Sequence, residues 1–177
     1  MGCEFTSPFL SATGQKAKMR MRVGLAVRKG EPDVGVIVND LGKVVHSNFS
    51  FGDGLEKLLK KLVNKNGWVH DEVINGSAVK ILKRGVKEKD LDWFQVKEKS
   101  RQVLKALMKV GRGKTITYGK LAEKCGTKPR AVGQIVHRNP FAPFVPCHRV
   151  IAKNGPGGFA GGLETKLKML KREGVKY

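Results

Sequence analysis

From residue 23 the apolar positions come in short β-branched runs, 23–28, 34–38 and 43–47, separated by the polar stretches 30–33 and 39–42. Runs of that length between turn formers read as strands. Asn39-Asp40-Leu41-Gly42 between two of them reads as a hairpin loop. At Asp53 the period changes. Leu55, Leu58, Leu59, Leu62 and Val63 follow the i, i+3, i+4, i+7, i+8 spacing of one helix face. Asp53 stands where an N-cap belongs, and Asn66-Gly67 marks the end. A second, short helix is expected around 78–82. Residues 83–92 are charged with little apolar periodicity and read as a linker.

Beyond the linker the pattern is helical. Val96, Ser100, Val103, Leu107 and Val110 share one face, widened by Leu104 and Met108, and Gly111-Arg112-Gly113 ends it. Residues 114–117 form an extended turn, and Thr117 caps a short helix over 118–124. Cys125-Gly126-Thr127-Lys128 makes a tight turn, and Pro129 sits in the first turn of the next helix. Ala131, Val132, Ile135 and Val136 give that helix its apolar face, and Asn139-Pro140 stops it. Two short helices about a Gly-containing turn are a helix-turn-helix pattern. The fold class expected is α+β: a small N-terminal β-sheet domain with helices (1–90, with 1–22 as a loose leader), then a mainly helical, winged helix-turn-helix-like domain (91–177).

Charge sharpens this picture. The 177 residues carry 35 Lys and Arg against 15 Asp and Glu, a net of +20. Residues 1–90 hold +6 of this and residues 91–177 hold +14. From Lys99 to Leu163 there are 13 bases and a single acid, Glu123. A lysine-rich solvated surface usually balances Lys with Glu. This one does not, so a polyanion, most simply nucleic acid, is the expected partner. No apolar run of 18 or more residues exists, so no membrane span is expected, and the first residues hold no signal-like apolar stretch. Three scattered cysteines, Cys3, Cys125 and Cys147, argue against a disulfide framework or a paired zinc motif.

The candidate chemistry lies in Pro146-Cys147-His148-Arg149-Val150. A cysteine attacks as its thiolate, which needs a base or a positive field. His148 supplies the first, and Arg149 adds positive charge. Taken alone, a Cys-His pair is more often packing than chemistry.

The wider context is more specific. Ile116-Thr117-Tyr118-Gly119-Lys120-Leu121-Ala122, Pro129-Arg130-Ala131-Val132-Gly133, Arg138-Asn139-Pro140, Val145-Pro146-Cys147-His148-Arg149-Val150-Ile151 and Gly158-Phe159-Ala160-Gly161-Gly162-Leu163 occur in that order. Together they resemble the O6-alkylguanine-DNA alkyltransferases over about residues 93–175. The resemblance implies that Cys147 accepts the alkyl group irreversibly, one group per molecule, from guanine flipped out of double-stranded DNA, with no metal and no cofactor. It implies that His148 takes the thiol proton through a water and that Glu173 orients His148, Glu164 being the nearest rival. Tyr118 donates to guanine N3, and Asn139 braces the cysteine turn. The backbone carbonyls of Cys147 and Val150 accept from the exocyclic amine. Arg130 fills the gap left by the flipped base, and Ala131 and Gly133 allow the second helix close to the minor groove. Phe159 and Ala160 form a pocket wall. They stand where the commoner pair is Tyr-Ser, so Phe159 keeps a stacking face without a hydroxyl and Ala160 offers only its N–H. Some relatives bind zinc in the N-terminal domain. Here His46 and His70 have only Cys3 for company, so no such site is expected. A monomer in the cytoplasm, on the nucleoid or in a nucleus, is the corresponding expectation.

Three other readings use parts of the same pattern. A damage sensor without transfer would lack the acceptor cysteine, which is present. A winged-helix regulator would use the +14 half and leave Cys147-His148 unexplained. A cysteine hydrolase would need an oxyanion hole that the sequence does not display.

Overall fold

The computed structural model describes residues 21–30 and 32–176. The expected leader lies almost wholly outside them, as does Cys3. The chain is α+β, with a four-stranded sheet in the N-terminal half and a helical C-terminal half.

β1 (Arg22–Arg28), β2 (Asp33–Asn39) and β3 (Val44–Ser50) form an antiparallel meander, and β4 (Val69–His70) adds beside β1 in parallel, giving the order β3-β2-β1-β4. The alternation of strand side chains assigns two apolar faces. Val23, Ile37 and Val45 meet Leu55, Leu59 and Val63 of α1 (Leu55–Lys65). Ala26, Val34, Val36 and Val38 face Ala78, Ile81 and Leu82 of α2 (Glu72–Arg84). Two glycines let the helices come this close. A Cβ on Gly24 would meet the Ile74 carbonyl carbon of α2 at 2.3 Å, and one on Gly35 would meet Leu59 of α1 at 2.5 Å.

Several local expectations need correcting. The N-cap of α1 is Gly54 at φ 99°, not Asp53, whose carboxylate instead faces Lys29 at 3.8 Å. Gly54 enters the helix from a left-handed conformation, which removes Asp53 from the capping position. The helix expected at 78–82 runs over thirteen residues and is capped by Asp71, which accepts from the Val73 amide at 2.9 Å. Asn75-Gly76-Ser77 hides it from propensity reasoning, yet Asn75 Oδ1 accepts the Leu25 amide at 2.8 Å where β4 has ended. The charged stretch 83–92 carries hydrogen bonds of its own. Arg84 grips buried Asp90 through two bonds of 2.8 and 2.7 Å, and Asp90 also accepts the Lys87 amide.

One continuous apolar cluster runs from the α2 face of the sheet into Val103, Leu104 and Leu107 of α3 (Glu98–Met108), Leu121 of α4 (Tyr118–Lys124) and Val132 of α5 (Pro129–His137). Val96 and Val110 flank α3 rather than belonging to it. Thr117 caps α4 by accepting the Lys120 amide, Gly126 turns at φ 56°, and Pro129 opens α5, which completes the helix-turn-helix. Contacts also join the halves at the outer side of β3. The Ser47 amide donates to Pro140 O at 2.8 Å, and the Asp92 amide donates to Val44 O at 2.9 Å.

Candidate active site

A parallel pair of two-residue strands sets the site. β5 (Ile116–Thr117) leads directly into Tyr118, and β6 (Val150–Ile151) follows directly on the single 3₁₀ turn of Cys147, His148 and Arg149. Pairing of Ile116 with Val150 and Thr117 with Ile151 therefore sets Tyr118 beside the cysteine turn. On the other side of that turn, Asn139 stitches its own loop. Its amide donates to Val145 O at 2.8 Å, and its Oδ1 accepts the Phe141 amide at 3.0 Å. Both atoms of the carboxamide are used, which fixes the chain leading into Pro146.

Cys147 is 7% exposed. It lines a crevice of about 160 Å³ together with Tyr118, Gly133, Val136, His137, Gly158, Phe159 and Ala160. This opens beside a wider groove of about 570 Å³ along α5, lined by Tyr118, Arg130, Gly133, Gln134, His137 and Arg138. Arg130 is exposed there, while Ala131 is half-buried on α5 and lines neither. Tyr118 reaches across the crevice and its hydroxyl donates to Gly158 O at 3.3 Å. Burial, and then the neighbouring Cys147, push that phenol upward, so it keeps its proton at neutral pH.

The electrostatics centre on Glu173, which follows α6 (Leu163–Arg172). Its Oε1 lies 3.0 Å from His148 Nε2, and Arg149 donates to both carboxylate oxygens at 2.8 and 2.7 Å. The Gly113 amide also donates to it at 3.3 Å. Burial alone would raise this carboxyl, and a carboxylate at a helix C-terminus has the unfavourable sign. The hydrogen bonds from Arg149 and His148 prevail and hold it at about 2. An ionised carboxylate only accepts, so the proton of His148 sits on Nε2. His148 is 2% exposed; burial lowers its pKa, Glu173 partly opposes this, and the ring is neutral at pH 7. Its Nδ1 is thus a buried lone pair with no protein partner. Glu164 is exposed and pairs with Lys168 instead.

Two features differ from the sequence reading. Arg149 was expected to lend its charge to the thiol, but it is spent on Glu173 and on Val110 O at 2.6 Å. The cation that faces the thiol is Lys166, which the sequence reading did not single out. It is fully buried, donating to Val150 O at 2.7 Å and Gly158 O at 3.1 Å. Burial lowers its pKa to about 8, partly opposed by Cys147. Burial in turn raises the Cys147 thiol, while Asn139 and the Lys166 charge pull it back. Val150 O, expected to accept from a guanine amine, thus already carries one donor and has a second lone pair. A signal for Lys166 was present: it stands at i−3 and i−4 to buried Met169 and Leu170, on the inner face of α6. Gln134 and His137, which no sequence motif picks out, also line the groove, beside Arg138.

Among the described residues, no group of three or more His, Cys, Asp or Glu side chains is placed to hold a metal ion, and no helix is long and apolar enough to cross a membrane.

Residues 98–175 match the family model described as 6-O-methylguanine DNA methyltransferase, DNA binding domain. The chain is 49% identical over 74 residues to a methylated-DNA–protein-cysteine methyltransferase of Saccharolobus islandicus, covering 42% of this chain and 49% of the relative. It is 47% identical over 80 residues to the protein of the same description from Methanocaldococcus jannaschii, covering 45% and 48%. These matches thus span about half the length of the curated relatives. A solved structure, the O6-methylguanine-DNA methyltransferase of the hyperthermophilic archaeon Pyrococcus kodakaraensis, superposes with a TM-score of 0.65 at 33% identity over 86% of this chain and 99% of that one. A likeness of that identity over essentially the whole of the Pyrococcus chain places this protein in the O6-methylguanine-DNA methyltransferase family.

Proposed function

We propose that the protein repairs double-stranded DNA by moving an alkyl group from guanine O6 to Cys147, once per molecule. The observation that carries this reading is a nearly buried cysteine in a small crevice, next to a histidine whose tautomer is fixed by a charged glutamate. His148 Nδ1 takes the thiol proton through a bridging water. Cys147 Sγ attacks the alkyl carbon in line with the departing O6; the S–C bond forms as the C–O bond breaks. The electron pair passes into the purine, which leaves as guanine after taking up one proton. No redox step is involved, and sulfur is both nucleophile and final acceptor. Charge grows on the ring as the alkyl group departs, so the Tyr118 hydroxyl aids most in the transition state by donating to N3. To do so it exchanges its bond to Gly158 O for one to the base.

The target atom is inaccessible in stacked DNA, so the nucleotide turns out of the duplex into the crevice. Arg130, exposed on the groove beside the crevice mouth, takes the vacated place. Gly133 leaves room for α5 to approach the backbone, and the basic C-terminal half supplies phosphate contacts.

The test is intact-protein mass after incubation with duplex DNA containing O6-methylguanine. One methyl per protein, located on Cys147, is expected, and Cys147→Ser should bind the duplex without gaining mass. Demethylation by the Ser variant would refute the assignment.

A further inference from the structure

The crevice wall is a glycine-rich segment. Residues 152–162 include five glycines, three of them at positive φ (Gly155, Gly157 and Gly162). The only side chain this wall offers as a large flat surface is Phe159, half-buried at the crevice. On one side its ring lies against Gly161, where an added Cβ would come within 3.1 Å of the ring. On the other side stands Phe49 of β3, ring centroids 6.3 Å apart at 36°.

Phe49 is itself anchored. Its ring meets Phe51 edge-on at 6.3 Å, and the Arg172 guanidinium lies 5.2 Å from the Phe51 centroid. Arg172 is the last residue of α6, and Phe159 precedes that helix by four residues. The end of β3 thus touches the wall-and-α6 unit at both ends. The backbone of β3 is fixed by β2 and by the Ser47–Pro140 hydrogen bond.

We propose that Phe49 is a positioning residue for the base pocket: the N-terminal sheet sets the angle at which Phe159 meets a bound guanine. Phe49 does not line the crevice and acts only through Phe159. This rests on reading the Cys147 crevice as the guanine pocket. It gives the N-terminal half a role in substrate recognition besides scaffolding.

The test is single-turnover reaction with free O6-benzylguanine, which removes DNA contacts from the measurement. Phe49→Ala should raise the half-saturating concentration about three- to tenfold, the scale of one aromatic pair. The limiting transfer rate and its pH profile should stay within twofold of wild type. Phe49→Tyr should restore wild-type saturation, and Phe49→Leu, which preserves bulk if the alanine variant fails to fold, should show a smaller loss in the same direction. The double variant Phe49→Ala/Phe159→Ala should be no worse than Phe159→Ala alone. Additive losses, or an effect on the limiting rate instead of saturation, would overturn the proposal. A wild type that takes no alkyl group from this base or from duplex DNA containing O6-methylguanine removes the pocket reading and this inference together. A reactive wild type matched by Phe49→Ala and Phe49→Leu removes this inference alone.

Discussion

Glu173→Gln takes one negative charge from the point where the end of α6, the cysteine turn and the loop after α3 meet. In the folded chain this carboxyl sits at about 2 against an ordinary 4.5. At about 1.4 kcal/mol per unit the gap corresponds to about 3 kcal/mol. Solvent near the carboxylate reduces this to about 2 kcal/mol. A carboxyl whose folded pKa is depressed stabilises the fold fully above its unfolded value. That contribution fades as pH falls from about 4.5 towards 2. Wild type should therefore lose about 2 kcal/mol of unfolding free energy from this group between pH 5 and 2. The Gln variant should lack that portion of the acid limb. At pH 7 it should be less stable by at least the same amount, because Arg149 keeps its charge and loses its anion. Urea denaturation at a series of pH values, followed by the fluorescence of Trp68 and Trp93, measures both. Acid limbs that superimpose after a vertical offset would refute the reasoning. Losing the group that fixes the His148 proton should also slow alkyl transfer about 100-fold.

Two further outcomes bear on the site. Arg130→Ala should slow repair of duplex substrate at least tenfold more than reaction with the free alkylated base, and equal losses on both substrates would remove Arg130 from the place of the flipped base. Lys166→Met should shift the pH midpoint of Cys147 alkylation upward by about one unit, because the buried ammonium favours the thiolate; an unchanged profile would show that the cation serves Val150 O and Gly158 O alone.

Much of the fold was legible because periodicity and burial agree. The β-branched runs became β1 to β3, and the spacing from Leu55 to Val63 became α1. The turn at Cys125 to Pro129 joined α4 and α5. α2 extends beyond its sequence signal: Val73 and Val79 point to solvent and Asn75-Gly76-Ser77 breaks the propensity, but docking against Gly24 overrides both. β4 is too short to carry a period. At the site, motif order marks Cys147, His148, Tyr118 and Asn139, but no local pattern reports that Arg149 is bound to Glu173 or that Lys166 points inward. Both depend on how α6 docks: Glu173 lies 24 residues from Arg149, and Lys166 lies 16 residues from Val150 and 8 from Gly158. A lysine on an apolar face reads as a solvated charge until the carbonyls that accept from it are in place.

The hydrogen bonds that Pro140 O and the Asp92 amide make to β3 have a consequence for colloidal behaviour. An open outer strand invites strands from other molecules, the usual seed of fibrils and swapped dimers. Here part of that vacancy is filled from within, by Asp92 and by the loop that carries the chain from α5 towards Cys147. The connection that leads to Cys147 therefore also shields part of this flank of the sheet from strangers.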